Sequence, residues 1–345
     1  MADNENKDVE PKKDSKFNAF VQKHGKKKLI IGTCGVVAVI VLIVGLSVGL
    51  TTCNKGSGSD SKSTIITGST PAFSDDKKTC TYGIYPQTHV SDEATITALD
   101  ALTSAESNGY YLYNNYYYAK LTAKPESNNN KFKDGSTIET DKNYWFRCDP
   151  ISWKVLKVDS NSKYTLIADS LLDLSIFNES YSGKNSDGYY ANNYAHSTLR
   201  SWLNGEFYNK AFTNNSYIQT TEVDNSFETV NDESEIGDDV KEYICENTSD
   251  KVYTLSYIDY LNADYGFNTD SSADDEAKYC YCTEYAMAKG AYYDDNKYYG
   301  EYWTRSPYSW EDYACGIRGK SIHYGKTWVN SSYYCARPAI TISIN

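Results

Sequence analysis

The stretch ISWKVLKVDSNSKYTLIA (residues 151–168) is the segment of the chain that decides the fold. β-branched and aromatic residues dominate both of its ends, and the polar run Asp159–Ser162 separates them. This composition is typical of two short strands that are joined by a turn. The segment therefore predicts a pair of neighbouring strands on either side of that run.

Farther along the chain, HSTLRSWLNGEFYNKAF (residues 196–212) predicts a helix. Ser197 has the short hydroxyl side chain that is favoured at a helix N-cap. Apolar side chains recur near helical spacing and predict one buried face. The residues of that face are Leu199, Trp202, Leu203 and Phe207.

Two further segments alternate between strand and helix patterns. KVYTLSYIDYLNADYGF (residues 251–267) predicts a strand and then a helix, because Ser256 and Asp259 have the spacing of a capping box. EYAMAKG ends at Gly290 and predicts the close of another helix. From Tyr298 onward, aromatic and β-branched residues punctuated by Gly predict several short strands. This order predicts an α+β fold with short helices against irregular antiparallel strands.

Residues 29–52, LIIGTCGVVAVIVLIVGLSVGLTT, carry no charge. At about 1.5 Å per residue, a helix of this length crosses a hydrocarbon core of about 30 Å, whereas the apolar region of a cleaved signal peptide has only about 7–15 residues. Lysines cluster before the segment at Lys23 and Lys26–Lys28, and only Lys55 lies close behind it. The positive-inside rule then predicts a single-pass signal anchor in the cell membrane, with the N-terminus cytoplasmic and the C-terminal domain extracellular.

A lipoprotein is the alternative interpretation of this region. Leu50–Cys53, LTTC, resembles a lipoprotein cleavage site, although Thr52 is a poor residue before the cysteine. The predicted organisation comprises a cytoplasmic basic tail (1–28), a transmembrane helix (29–52), a flexible stalk rich in Gly, Ser and Thr (53–79) and an extracellular domain (80–345).

Charge is distributed unevenly along the chain. Residues 1–28 contain eight lysines against five acidic residues, a net charge of +3, and the apolar segment is neutral. Because the whole chain carries −12, the region beyond the apolar segment carries −15. Such a surface repels a phosphate backbone, which disfavours nucleic acid as a partner.

Five short motifs follow one another in a fixed order outside the membrane segment. They are YGIYPQ (82–87), ISWKVL (151–156), STLRSWLNGEFYNKAF (197–212), EYWTRSP (301–307) and ARPAITI (336–342). In this order they resemble a bacterial family of domains of unknown function, number 6273, over residues 80–345. That family in turn resembles the C-type-lectin-like fold of formylglycine-generating enzymes, which implies a scaffold but no reaction.

This chain departs from the family pattern in several places. Thr304 replaces the usual aliphatic residue, and Ala336 stands where Val usually precedes Arg-Pro. A formylglycine-generating oxidase would need two closely spaced catalytic cysteines near the end of the domain, which the separation of Cys315 and Cys335 does not supply. We therefore do not expect that activity.

The sequence names no catalytic residue. Ser306 lies between Arg305 and Pro307 and lacks the G-x-S-x-G context of a nucleophilic serine. The histidines beyond the membrane segment are far apart, so no zinc site is predicted. Calcium is the remaining metal considered, because Thr327–Cys335 resembles the calcium segment of C-type lectins, but Ser331 replaces the expected Asp and no EF-hand loop is present. We expect no cofactor.

Eight of the nine cysteines lie at or beyond position 53. An even number is compatible with disulfides in an oxidising compartment. The predicted pairs are Cys315 with Cys335 and Cys80 with Cys148. Cys245 is left to pair with either Cys280 or Cys282.

The tyrosines and tryptophans are the main signal for recognition. There are 34 Tyr and 6 Trp, and such stiff amphipathic rings suit carbohydrate or protein contact, although they also build cores. The candidate ligand-binding residues are Trp303, Arg305, Trp310, Trp328 and Asn330. The candidate structural residues are Trp153, Arg200, Trp202 and Arg337.

The sequence thus predicts a membrane-anchored extracellular domain that binds a ligand at the cell surface. The partners considered are a glycan, a cell-wall polymer or a surface protein. The alternative is an extracellular enzyme on the same lectin-like scaffold.

Overall fold

The computed structural model describes residues 65–230, 238–294, 297–319 and 326–344. Within these ranges no helix has both the length and the apolar composition needed to cross a bilayer. The predicted basic tail, the predicted membrane segment and Cys53 lie outside the described residues.

Short strands account for most of the regular structure. They are β1 (Ala72–Phe73), β2 (Thr79–His89), β3 (Tyr111–Tyr113), β4 (Tyr116–Thr122), β5 (Asn143–Val158), β6 (Lys163–Ala168), β7 (Ser170–Leu171), β8 (Asp173–Leu174), β9 (Ile218–Gln219), β10 (Thr221–Val223), β11 (Thr248–Asp250), β12 (Tyr281–Cys282), β13 (Glu301–Pro307), β14 (Tyr313–Arg318), β15 (Lys326–Trp328), β16 (Cys335–Ala336) and β17 (Ala339–Ser343).

Helices are few and short. They are α1 (Glu93–Asp100), α2 (Thr198–Trp202), α3 (Tyr208–Ala211), α4 (Phe227–Val230) and α5 (Glu284–Lys289). A π turn, Leu203–Phe207, joins α2 to α3. Single 3-10 turns lie at Tyr194–His196, Asp238–Tyr243, Ile258–Leu261, Ala263–Tyr265 and Glu276–Lys278. This mixture of antiparallel sheet and short helices confirms the α+β prediction.

The hairpin predicted from the opening stretch is the middle of an eight-stranded sheet. The path through the sheet is β1-β2-β5-β6-β17-β9, and the β3–β4 hairpin joins at β5. β5 is long enough to pair with β4 near its start and with β6 near its end, along the same edge. Pro150 falls between those two pairings, where its missing N–H breaks no ladder on that edge.

A second sheet of five strands has the order β15-β14-β13-β16-β8. All its pairings are antiparallel except that between β13 and β16. β13 coincides with the EYWTRSP motif. It therefore lies between β14 and β16, and this order decides which cysteines can meet.

Both faces of the β6–β17 pair are buried. Leu166 and Ile340 belong to one apolar core together with the α2–α3 helix, whereas Ile167 and Ala339 belong to a second core on the opposite face. Successive side chains of a strand point to opposite faces, so adjacent residues serve different cores. β13 is divided in the same way, with Tyr302 in one core and Trp303 in the other.

Several local predictions are confirmed. Ser197 caps α2 by accepting a hydrogen bond from the Arg200 amide at 3.0 Å. Ser256 and Asp259 form both bonds of the predicted capping box, at 2.8 and 3.0 Å. α5 ends with Gly290 in the left-handed region at φ 120°.

The segment around that capping box differs from the prediction. Tyr253 makes only an isolated bridge to Ala339 and is not part of a strand, and 3-10 turns replace the expected helix. Asn262 and Gly266 interrupt the helical pattern, because the first caps a new turn and the second is left-handed at φ 85°.

The folded region also begins earlier than predicted. Ile66 donates its amide to the Asn115 carbonyl at 2.9 Å, and Gly83 donates to Gly68 at 2.8 Å. A Cβ on Gly68 would lie 2.3 Å from the Gly83 oxygen, so only glycine allows this approach. The last part of the predicted stalk therefore packs onto the domain.

Neither predicted disulfide is formed, and the seven described cysteines are free thiols. Cys315 lies in β14 and Cys335 in β16, with β13 between them. Cys80 pairs with Trp153 but Cys148 with Pro86, so these two cysteines lie at different positions along the β2–β5 ladder. The Cys335 thiol instead lies beside that of Cys282.

Trp153 offers a test of this core. Its side chain is fully buried, and its indole N–H donates to the Tyr82 carbonyl at 2.8 Å. Trp153→Phe removes the donor and leaves a void, so we expect the free energy of unfolding to fall by about 2–4 kcal/mol. Urea denaturation checks this, with Trp310→Phe as the control at a half-exposed indole. An equal loss in the two variants would contradict the assignment.

Candidate functional site

Four aromatic rings lie side by side at one end of the five-stranded sheet. Tyr313 of β14 is directly opposite Trp328 of β15, and their ring centroids are 4.3 Å apart. Trp310 packs edge-on against Tyr313 at 5.2 Å and against Tyr308 at 6.0 Å. We call Tyr308, Trp310, Tyr313 and Trp328 the aromatic platform.

The platform is unusually open to solvent for its composition. Trp310 is 52% exposed and Trp328 is 50% exposed. Large apolar side chains gathered on a surface commonly mark a binding site. The two half-exposed indoles therefore make this end of the sheet the leading candidate for recognition.

Charged groups border the platform. The Lys326 ammonium lies 4.7 Å from the Trp310 ring centroid and 5.3 Å from that of Tyr308. Glu311 and Asp312 occupy the tip of the turn that carries Trp310. Partial burial, and secondarily the Glu311 charge, raises the pKa of Asp312. The site thus combines rings with a cation and with carboxylate acceptors.

A single buried side chain holds the turn of the platform. Asn192 is fully buried, and its amide nitrogen donates to the carbonyl oxygens of Tyr308, Trp310 and Tyr313 at 3.0, 2.9 and 3.2 Å. Its backbone amide donates to Glu311 at 3.0 Å. Asn192 therefore fixes the shape of the turn through buried hydrogen bonds to its backbone.

Further bonds tie the same turn to its neighbours. A Glu311 carboxylate oxygen accepts from the Gly183 amide at 2.8 Å. Val329, which is fully buried, donates its amide to Asp312 and accepts from Asn178, both at 3.0 Å. The rings are therefore mounted on a rigid support, which lowers the entropy cost of binding a ligand.

The five predicted ligand-binding residues separate into two groups. Trp310 and Trp328 belong to the platform, and Asn330 is exposed two residues beyond Trp328. Trp303 and Arg305 are buried instead. Trp303 donates its indole N–H to the Ser175 carbonyl at 2.8 Å, because its position in β13 points into the core.

Arg305 is held by several protein groups. Its guanidinium contacts Asp259 at 2.6 Å and the carbonyl oxygens of Thr254 and Asp224 at 3.1 Å. It lies in the wall of a cleft of about 440 Å³, which Tyr253 and Tyr265 also line. Asp259 already accepts hydrogen bonds from Arg305 and from the Ser256 amide, so it stabilises the fold at this position.

The four residues predicted as structural have these contacts. Trp153 is described above, and Trp202 is half-buried with its ring 5.3 Å from Phe207. Arg200 pairs with the buried carboxylate of Asp250 at 2.7 Å. Arg337 is fully buried, although no carboxylate of the described residues pairs with it.

The described residues contain no group of three or more His, Cys, Asp or Glu side chains placed to hold a metal. Ser306 is fully buried and accepts the Tyr257 amide at 2.8 Å. His196 stacks on Tyr189 with centroids 3.5 Å apart and contacts Glu246 at 3.1 Å. His323 lies outside the described residues.

Asn192, Lys326 and the ring of Tyr313 were not singled out from the sequence. Asn192 precedes the platform turn by more than 115 residues, so no local pattern connects them. The density of aromatic residues between Tyr308 and Tyr313 was the one available signal. It could not distinguish exposed rings from buried ones.

Residues 161–344, just over half of the chain, match the family model described as "Domain of unknown function (DUF6273)". The match begins in the turn between β5 and β6, so the first two motifs of the predicted resemblance precede it. No curated protein and no solved structure matches significantly. The C-type-lectin-like relationship stays a prediction.

The Asn192 contacts predict a specific effect of one substitution. Asn192→Asp keeps the size of the side chain but replaces the donor with an oxygen that faces three carbonyls. We expect the free energy of unfolding to fall by about 2–4 kcal/mol and the platform turn to loosen, because buried acceptors lose their donor. Urea denaturation and amide hydrogen exchange at Trp310–Tyr313 measure the two effects.

Asn185→Asp is the matched control. The Asn185 side chain acts as an acceptor, for the Asp187 and Tyr189 amides, so aspartate can replace it. Unchanged exchange at the platform turn in Asn192→Asp would contradict the role given to Asn192.

Proposed function

Because the chain belongs to the DUF6273 family, for which no activity is described, we propose its function from its own site: it is a binding module that recognises a neutral glycan on the aromatic platform. The observation that carries this proposal is the pair of half-exposed indoles on a rigid support. Exposed rings without an identified nucleophile or acid–base pair among the described residues nearby suit recognition more than chemistry.

The chemistry of sugars matches these rings. One face of a pyranose presents C–H groups that are apolar and slightly positive, and an indole or phenol face is apolar and slightly negative. Stacking buries apolar area on both partners while the sugar hydroxyls stay at the rim. Glu311 and Asp312 lie at that rim, where carboxylate oxygens accept hydrogen bonds from hydroxyl groups.

The charge pattern favours a neutral polymer over an anionic one. The region beyond the apolar segment carries −15, which repels polymers rich in phosphate or sulfate. Lys326, a cation that borders the platform, already lies over two of its rings. A neutral glycan avoids the repulsion and can still use the cation as a hydrogen-bond donor.

An extracellular enzyme on a lectin-like scaffold is the second candidate. The cleft beside Arg305 supports it, because its volume of about 440 Å³ is typical of a ligand pocket. Asp259, one of the carboxylates that line this cleft, already accepts hydrogen bonds from Arg305 and from the Ser256 amide. We therefore favour the platform.

We also propose that residues 29–52 anchor the protein in the cell membrane and hold the domain outside the cell. The support is the uncharged length of this segment and the lysines before it.

This location is tested on intact cells. We expect externally added protease to remove an epitope tag at the C-terminus and to spare one at the N-terminus. A cytoplasmic marker protein that survives digestion is the control for cell integrity. Protection of the C-terminal tag until the cells are lysed would reject the proposed orientation.

Glycan binding is tested with the full-length chain on an array of neutral and acidic oligosaccharides, with and without EDTA. Trp310→Ala and Trp328→Ala should each weaken binding to neutral glycans roughly 3- to 30-fold, because each loses a stacking ring and its buried area. Retention of the signal in EDTA is expected, since the platform needs no ion.

Tyr281→Ala is the control, since Tyr281 is 52% exposed but lies in β12, outside the five-stranded sheet. It should bind as the unmodified protein does. Binding confined to acidic glycans, or equal binding by all three variants, would show that the platform is not the recognition site.

A further inference from the structure

Arg337 is a buried cation that has no counter-ion among the described residues. Its side chain is fully buried. Nε donates to the Ala168 carbonyl and Nη1 to the Tyr302 hydroxyl oxygen, both at 3.0 Å, while Nη2 has no hydrogen-bond partner. The carbon at the centre of the guanidinium lies 5.3 Å from the Tyr302 ring centroid. Buried guanidinium groups normally pair with an anion, because desolvating an isolated charge is very unfavourable.

The neighbours of Arg337 do not supply that anion. Among the described residues, no carboxylate oxygen lies within ion-pair distance of it, in contrast with Arg200 and Arg305. Burial raises the pKa of the Cys280 thiol to about 12 even though Arg337 acts to lower it. Burial likewise raises the pKa of Tyr302. Both groups are therefore neutral at physiological pH.

Arg337 also forms part of the wall of a cavity of about 340 Å³. The rest of the wall is mainly apolar and comes from β5, β6 and the turns that cover them. Its apolar residues include Val155, Leu156, Ile167, Phe267 and Ala277. Lys78 and Lys154 also line the cavity, and Lys154 already pairs with Asp169 at 3.0 Å. A ligand that complements this cavity would need a negative charge for Arg337 and an apolar part for the rest of the wall.

We propose that this cavity binds a small carboxylic acid with an apolar body, its carboxylate against Arg337 and its hydrocarbon chain against the wall formed by β5, β6 and Phe267. A carboxylate accepts two parallel N–H bonds from a guanidinium, and Nη2 of Arg337 keeps donors that the described residues leave unpaired. The space corresponds to roughly eleven water volumes of about 30 Å³, which fits an acid of about six carbons.

The composition of the wall decides the class of ligand. Phosphate or sulfate groups are more strongly hydrated than a carboxylate, and although Lys78 and Lys154 are further donors in the wall, its mainly apolar part would strip that hydration without replacing it. A neutral hydrocarbon would fill the cavity but leave the cation uncompensated. A monocarboxylate with a short hydrocarbon chain satisfies both requirements. This site is separate from the aromatic platform and does not depend on the proposed glycan function.

Hexanoate and its neutral isostere hexanamide test the proposal on the purified full-length chain. We expect hexanoate to bind saturably by calorimetry and to raise the melting temperature, while hexanamide does so at least tenfold more weakly. All samples share one zwitterionic detergent, so uptake of the ligand by micelles is the same throughout. Equal effects of the two compounds, or no saturable binding of hexanoate, would overturn the proposal.

Two variants locate the binding. Arg337→Met should reduce hexanoate affinity at least tenfold and remove the preference over hexanamide. Because Arg337→Met also changes the surrounding core, Ala277→Leu provides an independent test. It keeps Arg337 but fills the cavity, so affinity should again fall at least tenfold. Arg147→Gln removes a half-exposed arginine elsewhere and should bind normally. Hexanoate binding that survives in Ala277→Leu would place the ligand elsewhere and reject the assignment.

Discussion

The whole domain depends on one constraint, which is that the β6–β17 strand pair is buried on both of its faces. Adjacent residues such as Leu166 and Ile167 therefore belong to different apolar cores. A shift of register by one residue would move the side chains of each face to the opposite core, where they would not pack against the residues present. This pairing thereby fixes where the α2–α3 helix packs on one side and where the turns that follow Tyr253 pack on the other.

The second sheet is subject to the same constraint, because the side chains of β13 are also buried on both faces. Tyr302 and Trp303 enter opposite cores, so β13 is locked between them and its neighbours β14 and β16 are positioned in turn. At the far end of this sheet β15 is an edge strand, and among the described residues its Trp328 stays half-exposed. Rings placed there remain half-exposed. The platform is thus a consequence of where the two-sided core ends.

Local features of the fold could be predicted, because short-range chemistry determines them. The hairpin around Asp159, the Ser197 cap and the Ser256–Asp259 capping box depend on residues within a few positions of one another. Strand order does not depend on neighbouring residues alone. The sequence does not reveal that β13 lies between the strands of Cys315 and Cys335, and for this reason the predicted disulfide between them was wrong. The role of Asn192 could not be predicted for the same reason, since its partners lie far along the chain.

Arg305 and Arg337 show how two residues that look alike in sequence come to differ in the fold. Each precedes a small residue or proline near a strand, Arg305 as a predicted ligand-binding residue and Arg337 as a predicted structural one. Arg305 has a counter-ion, because the capping-box carboxylate of Asp259 reaches it at 2.6 Å. Arg337 lies between the two cores, where its neighbours are neutral, and a buried cation at such a position is costly for folding. The cavity that Arg337 lines is where the proposed carboxylate would offset this cost.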